Sequence, residues 1–174
     1  MKKILIAVDL QNDFVSGALG SSDAASACKS ACEMIKKWDC AVIATLDTHG
    51  EDYLSTAEGA KLPVIHCVDG SEGHRLDDGI AAALDGKEHY LLKKPTFGSV
   101  MLPELVKSIA NDSDFELTLI GVCTDICVVS NALLLKAHFP DKKITVCADC
   151  CAGVTPESHN AALITMKMCQ IDVV

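Results

Sequence analysis

The chain has 174 residues, of which 49% are hydrophobic and 22% charged, and a net charge of −9. A chain of this size buries roughly 70% of its unfolded surface in one compact domain, and a mean hydropathy of +0.27 excludes disorder as the main state. The acidic balance, with basic runs no longer than pairs such as Lys93-Lys94, argues against sequence-independent nucleic-acid binding.

In chain order, Ile4–Val8, Ala41–Leu46, Leu62–Ile65, His89–Leu92, Leu117–Ile120 and Ile144–Cys147 read as short strands, with Ile171–Val173 as a last short one. These runs are continuously apolar rather than alternating, which suits strands covered on both faces. Between them Ala24–Lys37, Val100–Asn111, Ile126–His138 and Glu157–Met168 read as helices. Their starts carry Ser22-Asp23, Thr124-Asp125 and Thr155-Pro156-Glu157, where an oxygen cap or a first-turn proline fits. The alternation predicts one α/β domain over residues 1–174, a parallel sheet with helices on both faces. Asp47–Leu62 and Asp69–Asp78 are left as long irregular stretches, which in a compact domain are usually functional.

No apolar run approaches ~20 residues, so no membrane span is expected. Asp9 breaks the N-terminal apolar run too early for a secretion signal, and a cytoplasmic location is the expectation. Ten cysteines in so long and apolar a chain do not make a disulfide scaffold, and most are expected to be small buried hydrophobes.

In open α/β sheets ligands sit at the carboxyl ends of the strands. There the sequence places Asp9-Leu10-Gln11-Asn12-Asp13-Phe14, Asp47-Thr48-His49, His66-Cys67, Lys93-Lys94 and Gly121-Val122-Cys123-Thr124-Asp125-Ile126-Cys127. Any one of these residues could simply mark where polar sequence resumes. Five ionisable or nucleophilic groups crowded at one edge cost free energy unless they pair. Cys127 falls just inside a predicted helix start, where free N–H groups and the helix dipole favour a thiolate by about 0.3–1 kcal/mol. With a nearby lysine and Asp9 as base it makes an activated-nucleophile set.

The segments VDLQNDF, KKPTFGSV and GVCTDICV, in this order, resemble the isochorismatase-like cysteine hydrolases, and TLDTHGEDYL and HCVDGSEG are similar to their nicotinamidase branch. The resemblance spans roughly Ile4 to His159. It implies a three-layer αβα fold on a six-stranded parallel sheet, with Asp9, Lys94 and Cys127 as catalytic residues. A cis peptide would fall at Val122–Cys123, aiming the N–H groups of Cys123 and Cys127 at a developing oxyanion. Asp47, His49 and His66 match metal-binding positions, with Glu58 as the fourth ligand and Glu51 as a weaker candidate. Imidazole with carboxylate suits zinc, and also iron or manganese. Phe14 and Phe97 match ring-stacking positions, and Gln11 is placed with them in the substrate pocket. The implied reaction is nicotinamide hydrolysis in NAD salvage, and the implied assembly a homo-oligomer acting on a small-molecule amide.

Two other readings stand beside this one. The first is a metal-free amidase of the same superfamily, acting on a carbamoyl or ureido compound. The second is a non-catalytic cysteine-rich binding or redox module in which Cys123 and Cys127 pair, although C-x-x-x-C is not the usual redox spacing. The other cysteines are expected to pack, His74, His89, His138 and His159 to lie at the surface or at helix ends, and Asp13 to fix a loop.

Overall fold

The computed structural model describes all 174 residues. Six strands, β1 (Lys2–Val8), β2 (Val42–Asp47), β3 (His89–Lys94), β4 (Phe115–Val122), β5 (Ile144–Ala152) and β6 (Asp172–Val173), form one parallel sheet in the order β3-β2-β1-β4-β5-β6. The helices are α1 (Asn12–Val15), α2 (Ser22–Lys37), α3 (Asp78–Leu84), α4 (Leu102–Ala110), α5 (Val129–His138) and α6 (Pro156–Met168).

Side chains of a strand point alternately to its two faces, and β1 shows what that does when every residue is apolar. Ile4, Ile6 and Val8 enter a core closed by Leu102 and Val106 of α4, Leu135 of α5 and Met166 of α6. Leu5 and Ala7 enter a second core closed by Ala27, Ala31 and Ile35 of α2 and Ile80 and Leu84 of α3. The sheet is thus the middle of three layers, as expected. Each fully buried Ile or Leu contributes roughly 1.5–3 kcal/mol.

Caps set several helix boundaries. Ser21 Oγ accepts from the Ala24 N–H at 3.0 Å and starts α2. Thr155 starts α6 with a reciprocal capping box to Ser158, and Pro156 is the first helical residue. Asp77 caps α3 by accepting from Gly79 and Ile80; this helix was not expected from the sequence, nor was the single turn α1.

Two expected elements differ. Leu62–Ile65 is a loop, not a strand: the stretch runs past Pro63, and the Leu62 carbonyl is taken by the Tyr53 hydroxyl at 2.9 Å. The expected helix Ile126–His138 is preceded by a wide π-type turn, Thr124–Val128, before α5 begins.

The carboxyl ends of β1, β2, β3 and β4 lead to Asp9, Asp47, Lys94 and Cys123. Gly121, at φ 122°, lets β4 approach β1 there, because a Cβ would run into the Val8 backbone. That approach brings the turn carrying Cys127 beside Asp9.

Candidate active site

Lys94, the last residue of β3, is fully buried and is the hub of the site. Its Nζ lies 2.7 Å from Asp9 Oδ2, 3.2 Å from Asp47 Oδ1 and 3.5 Å from Cys127 Sγ. Burial alone would push the ammonium down, but the charges of Asp9 and Asp47, joined by Cys127 when it is ionised, outweigh it and the net shift is upward. Lys94 is therefore a fixed cation.

Asp9 follows β1 in the left-handed region at φ 50°, which aspartate tolerates better than most residues. Its Oδ1 accepts from the Thr45 hydroxyl at 2.6 Å, and its backbone N–H donates to the Thr45 carbonyl at 3.2 Å. Burial pushes the Asp9 carboxyl up, and Lys94 partly pulls it back. The Cys127 thiol is pushed well up by burial and then by the Asp9 charge, with Lys94 opposing. The helix-start argument favoured a resting thiolate. In the structure burial acts against it, and the Asp9 charge adds to that.

The turn bearing Cys127 is tied down on three sides. Asn131, buried, donates to the Cys127 carbonyl at 2.8 Å and to the Phe97 carbonyl at 3.1 Å, and accepts from the Ser99 N–H. Thr124 Oγ1 and His159 Nδ1 are 2.8 Å apart. The Asp125 carboxylate accepts from the Val154 N–H at 3.1 Å. The peptide bond Val122–Cys123 is cis, at the place the resemblance implied.

Beside this trio lies a cluster of metal-type donors. The donor atoms of Asp47, His49 and His66 fall within 4.8 Å of one another. Glu58 Oε1 is 3.8 Å from His49 Nε2 and 3.9 Å from His66 Nε2. Val64 O can only accept, so His66 Nδ1, 2.8 Å away, donates to it, which leaves Nε2, 3.6 Å from Asp47 Oδ2, as the nitrogen that could ligate an ion. His49 Nε2 is buried and lacks a directed hydrogen bond, although Asp47 Oδ2 is 2.8 Å away. An orphaned imidazole nitrogen beside three further donors fits a divalent ion such as zinc, iron or manganese. Glu51 is exposed and takes no part.

A cavity of about 310 Å³ opens between the two groups, lined by Phe14, Phe97, Asp47, Glu58, His66, Cys123 and Cys127 among others. That is at the small end for ligand pockets. Phe97 stands at its mouth, 45% exposed. Gln11 does not line the cavity as expected. Its amide is spent on Asp47, donating to the carbonyl at 2.9 Å and accepting from the N–H at 2.8 Å, and so fixes the backbone of a candidate ligand.

Other expectations divide. Asp13 fixes a loop, accepting from the Cys67 N–H at 2.8 Å, and the Cys67 side chain turns into the core. His74 is buried rather than superficial, 2.9 Å from Thr48 Oγ1. Sequence reasoning missed Tyr53, Thr45 and Asn131. Tyr53 is buried with its ring 4.6 Å from that of His49 and 4.9 Å from that of His66, so it walls the donor cluster. An aromatic inside the long Asp47–Leu62 stretch was its only signal.

The isochorismatase domain family matches residues 3–174 of the chain. An uncharacterised isochorismatase family protein, PncA of Bacillus subtilis, is 30% identical over 94% of this chain and 93% of its own length. The crystal structure of nicotinamidase/pyrazinamidase PncA from Bacillus subtilis superposes with a TM-score of 0.85 at 26% identity, covering 100% of both chains. The fold is shared with a zinc complex of the Pyrococcus horikoshii pyrazinamidase (TM-score 0.81, 24% identity, 100% of this chain and 99% of that one). It is also shared with the N-carbamoylsarcosine amidase of Thermoplasma acidophilum (TM-score 0.75, 23% identity, 99% of this chain and 95% of that one).

Proposed function

The chain belongs to the isochorismatase family of hydrolases, and on that premise we propose that it is a cysteine amidohydrolase of the nicotinamidase type, turning nicotinamide and water into nicotinate and ammonia. The observation that carries this reading is the buried Lys94 ammonium, in contact with Asp9, Asp47 and the Cys127 sulfur at once. It links a nucleophile and its base to the donor cluster on the wall of the same cavity.

The geometry supports the following steps. Asp9 takes the Cys127 proton as the sulfur attacks the amide carbon, so the thiolate forms as it is used. Lys94 stays charged throughout and offsets the negative charge that moves between Asp9 and Cys127. Charge developing on the amide oxygen is met by the backbone N–H groups of Cys123 and Cys127, and donors of this kind are worth about 3–4 kcal/mol of barrier each. Asp9 returns the proton to the departing ammonia. Water then attacks the thioester, Asp9 again serving as base, and nicotinate leaves with the thiol restored. Asp47, His49, His66 and Glu58 would hold a divalent ion, which supplies a Lewis acid for the ring nitrogen. Phe14 and Phe97 would flank the ring.

A metal-free carbamoyl amidase of the same fold would leave the two-imidazole, two-carboxylate cluster without use, which favours the first reading. Ammonia release from nicotinamide and pyrazinamide, with and without chelator, tests it. We expect turnover that chelator abolishes and zinc, iron or manganese restores, and its loss in Cys127→Ala. Turnover of other small amides but not these, indifferent to chelator, would replace the reading with the metal-free one. Hydrolysis surviving in Cys127→Ala would overturn the nucleophile.

A further inference from the structure

We propose that Cys147 and Cys150 form a redox-active dithiol, which a small disulfide such as oxidised glutathione converts to an intramolecular disulfide. Between the pairs Leu119↔Val146 and Gly121↔Cys151, β4 advances two residues while β5 advances five. The excess forms a bulge carrying Cys147-Ala148-Asp149-Cys150, a C-x-x-C spacing.

In a regular strand residues three apart point to opposite faces. The bulge breaks that rule. Cys150 and Cys147 both pack on the core beneath α2, whereas Cys151 turns into the core on the other side of the sheet. The Cys147 and Cys150 thiols both line one open cleft of about 720 Å³ bordered by Lys29, Glu33, Lys37 and Trp38. Cys147 is half-buried and Cys150 buried. Burial pushes the Cys150 thiol up to about 12, and Cys147, the more exposed of the two, is the sulfur that a disulfide entering the cleft meets first. No step of the proposed hydrolysis uses either thiol, and the inference stands independently of it.

The exchange balances with glutathione disulfide as oxidant. The Cys147 thiolate attacks one glutathione sulfur and expels the other as thiolate. Cys150 gives up its proton and attacks Cys147 in the mixed disulfide, expelling the second glutathione. The protein dithiol loses two electrons and two protons, and one glutathione disulfide becomes two thiols.

The test equilibrates the intact protein with mixtures of reduced and oxidised glutathione, traps free thiols by alkylation in acid and maps tryptic peptides. Residues 144–167 fall in one peptide with three cysteines, Cys147, Cys150 and Cys151. We expect that peptide to lose two hydrogens and to retain one alkylated thiol, at Cys151, reversibly with added dithiothreitol. Cys151→Ser should keep the change, whereas Cys147→Ala and Cys150→Ala should each abolish it. Persistence in Cys147→Ala would assign the bond to Cys150 and Cys151 and overturn the proposal. So would a wild-type peptide that carries only bound glutathione or stays fully alkylated at every ratio.

Discussion

An ammonium group sealed from water is tolerated only where anions surround it, because desolvation costs several kcal/mol per ion. Lys94 meets that condition with two carboxylates, and it thereby holds Asp9 and Asp47 on either side of itself. Replacing it with methionine keeps much of the volume but leaves two buried carboxylates facing each other without a counterion. We expect Lys94→Met to cost about 3–5 kcal/mol in urea unfolding and to lose amide hydrolysis. A variant as stable as the parent would show that the cation is not holding the carboxylates. The candidate residues Asp9, Lys94 and Cys127, which the structure brings into contact, were legible as a group because strand ends and motif order mark them. Tyr53, Thr45 and Asn131 were not, because each acts through a contact across the sequence: Thr45 on Asp9, Asn131 on the Cys127 carbonyl, Tyr53 on two imidazoles. Gln11 was legible as a site residue, but its task was misread. A glutamine beside a pocket motif suggests substrate contact, and only the structure shows both ends of its amide engaged by Asp47.

At the scale of elements, what the sequence made readable is what depends on neighbours in the chain. The apolar runs of β1, β2 and β4 and the oxygen caps of α2 and α6 are local signals, and all five elements lie where they were expected, to within a few residues. Leu62–Ile65 was misread because a four-residue apolar run has no periodicity to distinguish strand from loop. What decides it is the Tyr53 hydroxyl nine residues earlier and the donor cluster the loop wraps. Ile126 to Val128, expected as the start of an ordinary helix, belong to the π-type turn Thr124–Val128, whose carbonyls are taken by a pattern that composition does not reveal. That turn is braced by α6 through His159, so the start of α6 bears on the placement of Cys127 as well as on stability. Thr155 accepts from the Ser158 N–H at 3.1 Å. Thr155→Ala should lower unfolding free energy by about 0.5–2 kcal/mol, read from denaturant midpoints with an unchanged slope. A changed slope would mean that α6 unfolds on its own.

For the whole molecule, the strand order explains why the site is where it is. The chain runs from β1 outward to β2 and β3, then returns to place β4 on the other side of β1. A crevice opens where the order reverses, and ligands in open α/β sheets bind there. Asp9 stands at the reversal itself, β2 and β3 supply Asp47 and Lys94 from one side, and the turn after β4 supplies Cys127 from the other. The donor cluster likewise draws on distant parts of the chain, since His49 and Glu58 come from one loop and His66 from another stretch that pairs with it at His49↔Val68. An ion bound there would clamp loops that carry little regular structure of their own. An ion that binds only the folded chain stabilises it by about 2.7 kcal/mol at a hundred times its dissociation constant. For a domain of this length that corresponds to roughly 5–10 °C in Tm. Chelator should lower Tm by that amount and added zinc should restore it. In His66→Ala the two conditions should melt together, since removing one of the buried donors takes away the difference and not merely the activity. Equal Tm values for the unsubstituted protein with and without chelator would remove the metal from the site, and the Lys94 cation would then be left to organise both carboxylates alone.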